Sequence, residues 1–341
     1  MFTNRSPRLI GALACSALLA AGCGGSSGDP ATGNLTLGLT DGPVESADAV
    51  VVQFTGIEVK PAGGPALDPF VLDEDSCDTW DAATGTCSID LLDLVGTDRR
   101  VVFSEELPAG DYAWVRLLVN AERNVMDSYL TTTDGMDCPL YIPSGSERGL
   151  QIVSGITVTA NGVSDYTLDF DVRKSVTNPP GLAGSATDMC NENYVLKPAI
   201  RIVDTTEVGA IAGTVDDSPG SALEQSCTAD EATGLYENVA VYVFEDPNED
   251  VVPDDIDTSV DPESGPVTTA TVAWNDVDEV YEYEAGFLLA GTYRVALTCS
   301  ADADLPDSDE YDPASEDPQE FGFIADQLVE VQVDLTADGS F

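Results

Sequence analysis

The stretch Val239-Ala-Val-Tyr-Val-Phe244 alternates two sets of apolar side chains, with valines at every second position and Ala240, Tyr242 and Phe244 between them. Successive side chains of a β-strand point to opposite faces, so this stretch predicts a strand with the valines on one face and Ala240, Tyr242 and Phe244 on the other. Glycine, proline and aspartate separate it from similar runs, which is typical of short strands joined by turns. The sequence therefore predicts an all-β fold of antiparallel β-sandwiches. The same period of two recurs at Leu35–Leu39, Val50–Thr55, Ile156–Thr159 and Val329–Leu335.

A weak internal repeat divides the chain into two such sandwiches. Gly33–Asp41 parallels Gly209–Asp217, and Leu107-Pro-Ala-Gly-Asp-Tyr112 parallels Leu288-Leu-Ala-Gly-Thr-Tyr293. In the second pair, glycine permits a tight turn and the tyrosine gives the following strand a large apolar anchor. A polar segment around residues 204–208 separates the two halves. We therefore predict domains over residues 34–206 and 207–341.

The first 28 residues have the pattern of an export signal. Arg5 and Arg8 precede an apolar run of about 13 residues, Leu9–Ala21, which is too short to span a bilayer of roughly 30 Å. The segment Leu18-Leu-Ala-Ala-Gly-Cys23 resembles the bacterial lipobox, whose cysteine is acylated and becomes the first residue of the mature protein. The alternative is an ordinary signal peptide with an incidental cysteine.

The lipobox resemblance predicts a signal peptide over residues 1–22, an acylated Cys23, and a Gly/Ser tether over residues 23–33. The expected location is the cell envelope; in a Gram-negative cell the protein would be an outer-membrane lipoprotein facing the periplasm or the cell surface. The acyl chains are the only membrane contact that the sequence predicts.

The charge of the chain is strongly negative. It carries 62 acidic and 13 basic residues, for a net charge of -49, and from Glu207 to Phe341 there are 34 acidic residues and one base, Arg294. Such a surface excludes nucleic acid as a partner, because phosphates bind Lys and Arg. Solubility in saline surroundings, divalent cations and cationic partners all fit this charge, and the sequence leaves the three open.

One acidic loop follows the spacing of a calcium site. Oxygen-bearing side chains at positions 1, 3, 5, 9 and 12 of the loop, with one backbone carbonyl, are the ligands that Ca²⁺ prefers. The loop has Val251 where an EF-hand requires glycine, and an ordinary solvated acidic loop is the alternative. A second acidic stretch, residues 302–320, predicts an irregular loop. The predicted calcium ligands are Asp246, Asn248, Asp250, Val252, Asp254 and Asp257.

Six cysteines follow Cys23, and an even number in an exported chain indicates disulfides. Six cysteines allow 15 pairings; we favour Cys77–Cys87, Cys138–Cys190 and Cys227–Cys299, a set that respects the predicted domain boundary. A cysteine-based metal site is disfavoured because the chain has no histidine and no C-x-x-C pair.

The remaining candidates for function are few. Without histidine there is no His-dependent catalytic triad, so we predict that the protein is not an enzyme. Trp80 and Trp274 are candidates for stacking on sugars. Asp169 and Asp171 lie near Arg173 and Lys174, and this mixture of charges predicts an ion cluster on the surface.

Two family resemblances follow from these residues. The C-terminal half, with Gly-x-Ile-x-Gly-x-Val from Gly209 and the element Phe287–Val295, looks like carboxypeptidase-regulatory or prealbumin-like (Ig-like) β-sandwich modules. The first half resembles the DUF4382 family of bacterial lipoproteins, which has no established activity, so the resemblance implies architecture and location only. The stretches that carry it are Leu37–Pro43, Ile57–Lys60, Leu107–Gly110 through Leu117, Leu168–Asp171 through Ser175, and Tyr194–Pro198.

The sequence thus predicts a lipid-anchored cell-envelope protein with a non-catalytic binding or structural role, stabilised by calcium, whose partner is a glycan or an envelope protein. A carbohydrate-binding accessory lipoprotein is the alternative. A hydrolase that uses paired carboxylates is the least favoured hypothesis.

Overall fold

A computed structural model describes residues 31–341, apart from residues 43, 45–46, 73, 144, 154, 178–193, 198, 257–264 and 307–320. The predicted signal peptide, Cys23, most of the tether, Cys190 and Asp257 therefore lie outside the described residues. No helix in the described part of the chain is long and apolar enough to cross a membrane.

Strands dominate the described chain. The helices in the described ranges are three short α-helices, α1 (Gly145–Arg148), α2 (Val172–Ser175) and α3 (Ala222–Ser226), and four 3₁₀ turns at Glu74–Ser76, Leu91–Asp93, Thr205–Glu207 and Ala301–Ala303. The strands are β1 (Thr32–Gly42), β2 (Ala47–Pro61), β3 (Thr79–Asp81), β4 (Thr86–Asp90), β5 (Arg100–Pro108), β6 (Gly110–Asn120), β7 (Tyr129–Thr132), β8 (Asp137–Tyr141), β9 (Leu150–Ile152), β10 (Ile156–Val158), β11 (Val163–Asp171), β12 (Val176–Thr177), β13 (Tyr194–Leu196), β14 (Ile200–Asp204), β15 (Val208–Val215), β16 (Ala240–Glu245), β17 (Thr268–Thr271), β18 (Ala273–Asn275), β19 (Val280–Leu289), β20 (Gly291–Thr298), β21 (Phe323–Val331) and β22 (Thr336–Asp338).

The strands form two sandwiches, as the sequence predicts. In the first, a sheet of order β14-β11-β1-β5 packs on a larger sheet whose main path is β10-β6-β2-β7-β8-β13-β12. The alternating side chains Leu35, Leu37 and Leu39 are fully buried between these sheets, beside Val52 and Phe54 of β2. In the second, sheets of order β18-β19-β15-β22 and β17-β16-β20-β21 enclose a separate core. Strands of the first sandwich end at Asp204 and those of the second begin at Val208.

Most strand pairs are antiparallel, but three are parallel: β1 with β11, β8 with β13, and β15 with β22. Parallel neighbours need a long connection, and here the connection between β1 and β11 contains most of the larger sheet. Local alternation does not encode this pairing, so the sequence could not predict it.

Strand β16 is covered on both sides, and its two sets of side chains lie on opposite faces as the sequence predicts. Val241 and Val243 lie in the core of the second sandwich. Ala240, Tyr242 and Phe244 point the other way, into a small cluster with Ile256, Ala301 and Phe321. The outer face of this sheet is therefore buried beneath the segments that follow β16 and β20.

Two disulfides predicted from the sequence are present. Cys77 is bonded to Cys87 and Cys227 to Cys299. Cys138 is also disulfide-bonded; its predicted partner, Cys190, lies outside the described residues.

The repeated Gly-x-Tyr element forms the same corner in both sandwiches. Gly110 and Gly291 begin strands that leave the sheet of the preceding strand and enter the opposite one. The buried Tyr112 donates a hydrogen bond from its hydroxyl to the Pro108 carbonyl at 2.9 Å, and Tyr293 donates to the Leu289 carbonyl at 2.9 Å. This is the arrangement known as a tyrosine corner in immunoglobulin-like sandwiches. Burial raises the pKa of Tyr293 to about 12.

We expect Tyr112→Phe and Tyr293→Phe each to lower the free energy of unfolding by about 1 kcal/mol, because the hydrogen bond from the tyrosine hydroxyl to a backbone carbonyl is lost while the ring packing is kept. Denaturant unfolding measures this change. Tyr141→Phe is the matched control, since the half-buried Tyr141 has no hydrogen-bond partner for its hydroxyl among the described residues. An equal loss in all three variants would contradict the role of the corner.

Candidate functional site

The predicted calcium loop begins with a buried ion pair. Asp246 follows β16, and its Oδ1 accepts hydrogen bonds from the backbone amides of Asp250 at 2.7 Å and Val251 at 3.1 Å. Its Oδ2 accepts from Nε of Arg294, the one base of the second domain, at 2.9 Å. Burial raises the pKa of Asp246, but these donors outweigh it and the pKa is lowered. Asp246 therefore closes a turn and holds Arg294.

The other predicted ligands do not gather around Asp246. Asn248 and Asp250 are exposed, Val252 is 63% exposed, and Asp254 is half-buried. In the described ranges there is no group of three or more acidic or cysteine side chains that could hold a metal ion. With Asp257 outside these ranges, the calcium site stays a prediction.

Asp304 connects the two acidic loops. The sequence placed Asp304 in an irregular acidic loop, but the structure buries it. Its carboxylate accepts from the Tyr242 hydroxyl at 2.6 Å and from the Ile256 amide at 3.1 Å. The segments around residues 246–256 and 301–306 are thereby tied to each other and to β16, and they cover the outer face of its sheet.

The two candidate tryptophans are half-buried. Trp80 packs against the first core, and the Trp274 ring meets Tyr281 edge-on at 5.0 Å between centroids. Neither ring lies open on the surface as a sugar-binding ring would, so their packing does not favour stacking on sugars. The stacking hypothesis stays a prediction.

The charged segment 169–174 was expected on the surface, and this expectation is wrong. Asp169 is 5% exposed, Asp171 is 7% exposed and Arg173 is 3% exposed. The physical reason is that this segment ends β11 and enters α2 at the junction between the two sandwiches. Burying so many charges is costly unless they are paired and hydrogen-bonded, so their contacts define the junction.

Helix α2 reaches across the junction. Arg173 donates from Nη1 to the Ala301 carbonyl at 3.0 Å and from Nε to the Thr269 hydroxyl at 3.3 Å. Its guanidinium lies 5.5 Å from the centre of the Tyr242 ring, within cation–π range. Lys174 donates from Nζ to the Pro266 carbonyl. One turn of the first domain is thus hydrogen-bonded to two segments of the second, around residues 266–269 and 301, and contacts the Tyr242 ring of a third.

A second set of contacts lies beside the first. Arg201 of β14 donates from Nε to Asp169 at 2.5 Å and from Nη2 to the Gly286 carbonyl at 3.3 Å. Glu284 accepts from the Thr97 hydroxyl at 2.8 Å. A Cβ on Gly286 would lie 2.2 Å from the Gly96 carbonyl oxygen, so only glycine permits this approach of the two backbones.

Asp41, at the end of β1, completes the buried charges. Its Oδ1 accepts from the Val172 amide at 3.1 Å, while its Oδ2 has no partner among the described residues. Burial, and then the charges of Asp169 and Asp171, raise the pKa of Asp41 well above its usual range. Burial also raises the pKa of Asp169, although Arg201 opposes it. Each of these buried carboxyl groups can be ionised or protonated, but none of them lines the neighbouring cleft.

Sequence reasoning missed this assembly because its members are distant in the chain. Asp41, Asp171 and Lys174 all belong to the stretches that carry the family resemblance, which was the one available signal. The parallel pairing of β1 with β11 places residue 41 beside residues 169–171.

A cleft of about 1140 Å³ opens beside the junction, between the outer face of the β18-β19-β15-β22 sheet and the first domain. Its floor includes the small residues Ala212, Thr214 and Ala273, which pair with acidic residues on the neighbouring strands. No Lys or Arg is among the described residues that line it. The carboxylates that line it are Asp48, Asp98, Glu282, Glu284 and Asp338.

Comparison with known families matches residues 32–198 to the domain of unknown function DUF4382. This agrees with the resemblance of the first half; the family of the second domain stays a prediction. No curated protein matches the chain.

The solved structures that match the chain share little sequence with it. A leucine-rich repeat protein from Bacteroides thetaiotaomicron is 13% identical over 91% of this chain and 26% of its own, with a TM-score of 0.19. The TIE protein of Bacillus anthracis is 12% identical over 91% of this chain and 34% of its own, with a TM-score of 0.18. This chain therefore spans about a quarter and a third of those two. The minor pilin GBS52 of Streptococcus agalactiae is 9% identical over 90% and 94%, with a TM-score of 0.19.

We expect Arg173→Ala to uncouple the two domains. The variant loses a buried cation with its bonds to Ala301 and Thr269, and we expect the free energy of unfolding to fall by about 3 kcal/mol. Scanning calorimetry should show one transition for the unaltered protein and two for the variant. Arg148→Ala, which removes an exposed arginine of the first domain, should leave one transition. A single transition for Arg173→Ala would contradict the junction as the coupling element.

Proposed function

We propose that this chain is a lipid-anchored cell-envelope protein whose two β-sandwiches form one rigid, non-catalytic unit for support or binding. The observation that carries the proposal is the junction, where Arg173, Lys174 and Arg201 of the first domain are bonded to backbone and side-chain acceptors of the second. Changing the angle between the domains would leave these buried cations without their acceptors, so the junction restrains that angle; such restraint suits a spacer that holds a surface at a set distance from a membrane.

The location rests on the N-terminal sequence. A charged start, a short apolar run and the lipobox-like segment ending at Cys23 support export and acylation. The negative charge supports a protein that stands away from anionic lipid head groups on its tether.

The non-catalytic role is supported by where the perturbed carboxylates lie. A hydrolase needs two carboxylates of divergent pKa that reach a substrate. Asp41 and Asp169 have raised pKa values, but they are buried at the junction and do not line the cleft. No contact among the described residues favours the hydrolase or the carbohydrate-binding hypothesis over this one.

We expect Cys23→Ser to release the protein from the membrane. In the producing cell, the unaltered protein should sediment with membranes and incorporate labelled palmitate, whereas the variant should do neither, because it has lost the acylated thiol. Cys15→Ser, which alters the other cysteine of the N-terminal segment, should retain both properties. A Cys23→Ser protein that still sediments with membranes would refute lipid anchoring.

The interdomain cleft supports a second, more specific function, which is the binding of a cationic peptide segment. Its small floor residues leave room on an open sheet face, and clefts lined by one sign of charge concentrate ligands of the opposite sign. Asp48 and Asp98 are exposed, and their carboxylates have no partners among the described residues, so they are available to a ligand.

The triple variant Asp48→Asn, Asp98→Asn, Glu282→Gln should weaken binding of a labelled Lys-Ala repeat peptide about tenfold, measured by fluorescence anisotropy on the full chain in detergent. The control variant Glu105→Gln, Asp302→Asn, Glu330→Gln removes the same charge from exposed positions outside the cleft. It should bind nearly as the unaltered protein does. Equal losses in both variants would show general charge attraction and no cleft site.

A further inference from the structure

The carboxyl group of Asp41 occupies an unusual position in the junction. It is 3% exposed, it lies beside Asp169 and Asp171, and its Oδ2 has no partner among the described residues. A buried carboxylate oxygen without a donor is costly, whereas a protonated carboxyl in the same place carries no charge. The geometry therefore favours a proton on Asp41.

Asp41 is also joined to the residues that cross the junction. Its Oδ1 accepts from the Val172 amide at the first residue of α2. The next two residues of that helix, Arg173 and Lys174, make the bonds to Ala301, Thr269 and Pro266 of the second domain. A change in charge at Asp41 is thus one peptide unit away from the interdomain contacts.

The surrounding charges leave an ionised Asp41 poorly balanced. From β11, Asp169 pairs with Arg201 of β14, and Asp171 lies 3.0 Å from Nζ of Lys174 without hydrogen-bond geometry. Among the described residues of the second domain, Arg173 meets the Thr269 hydroxyl, the Ala301 carbonyl and the Tyr242 ring, whose hydroxyl is bonded to Asp304. Asp41 itself has no ion pair with a described residue. Ionisation would place a third negative charge beside two that already have cations.

We propose that Asp41 makes the junction sensitive to pH, tight while Asp41 is protonated and loosened when Asp41 ionises. This regulation goes beyond the proposed rigid, anchored role. Burial and the neighbouring carboxylates raise the pKa of Asp41 in the folded protein. A group with a raised pKa contributes its full stability below the unfolded-state value and loses it as pH rises through the folded-state value. The junction should therefore loosen on alkalinisation.

The distance between the domains tests this proposal directly. Spin labels at Val153→Cys and Val277→Cys, which are 73% and 88% exposed, report on the first and second domain in the full chain in detergent. We expect a narrow distance distribution at about pH 5 and a broader one at about pH 9. The distance distribution of Asp41→Asn should remain narrow at both pH values, because the amide oxygen of asparagine still accepts from the Val172 amide and the side chain cannot ionise.

Asp90→Asn is the matched control. Asp90 also accepts from backbone amides and has a pKa raised by burial, but the amides that it accepts from, those of Val50 and Leu92, belong to the first domain. The distance distribution of this variant should broaden at alkaline pH, as that of the unaltered protein does. Arg173→Ala provides the reference distribution for a loosened junction.

Salt separates the proposal from general repulsion in a chain of net charge -49. Added NaCl screens exposed charges but not a buried one, so the alkaline broadening should persist in salt. Three outcomes would overturn the proposal. The distance distribution of the unaltered protein could be equally narrow at both pH values, or it could broaden on acidification. The distribution of Asp41→Asn could broaden at alkaline pH as that of the unaltered protein does. If Asp41→Asn does not fold, the pH and salt series on the unaltered protein still decides.

Discussion

The burial of one arginine governs how the two domains are arranged. Arg173 is 3% exposed, and a guanidinium cannot shed its charge, so every segment around it must supply an acceptor or an aromatic face. The Ala301 carbonyl, the Thr269 hydroxyl and the Tyr242 ring do so from the second domain. Strand β16, through Tyr242, therefore serves its own core on one face and the junction on the other.

Two buried aspartates illustrate how placement decides the behaviour of a carboxylate. Asp246 meets amide donors and Arg294, which lower its pKa despite burial, so its contribution to stability is lost as pH falls. Asp41 is buried beside two other carboxylates, and both conditions raise its pKa, so its contribution to stability is lost as pH rises. Lowering the pH thus destabilises the loop at Asp246 in the second domain, whereas it stabilises the junction between the two domains. A chain rich in acidic residues need not respond to pH in one direction.

Sequence reasoning predicted the features that depend on neighbours along the chain. Alternation at Leu35–Leu39 identified a buried face, and the repeated Gly-x-Tyr element identified both corners. It did not predict features that depend on distant pairing. The loop at Asp246 has the spacing of a ligand set, yet the partner of Asp246 is Arg294, 48 residues away. The parallel register that brings Asp41 to Asp169 and Asp171 leaves no local pattern, so the sequence predicted Asp169 and Asp171 on the surface.

The place of β1 has a mechanical consequence. It is an interior strand of its sheet, paired along its length with β11 on one side and β5 on the other, and it is the first strand of the described part of the chain. Hydrogen bonds between strands run across the strand direction, so a force applied at residue 31 along β1 loads both ladders at once in shear. An edge strand pulled sideways would instead open one bond at a time. If the N-terminus is held at a membrane, tension on the protein is therefore applied to β1, a strand that is held against extraction by hydrogen bonds on both sides.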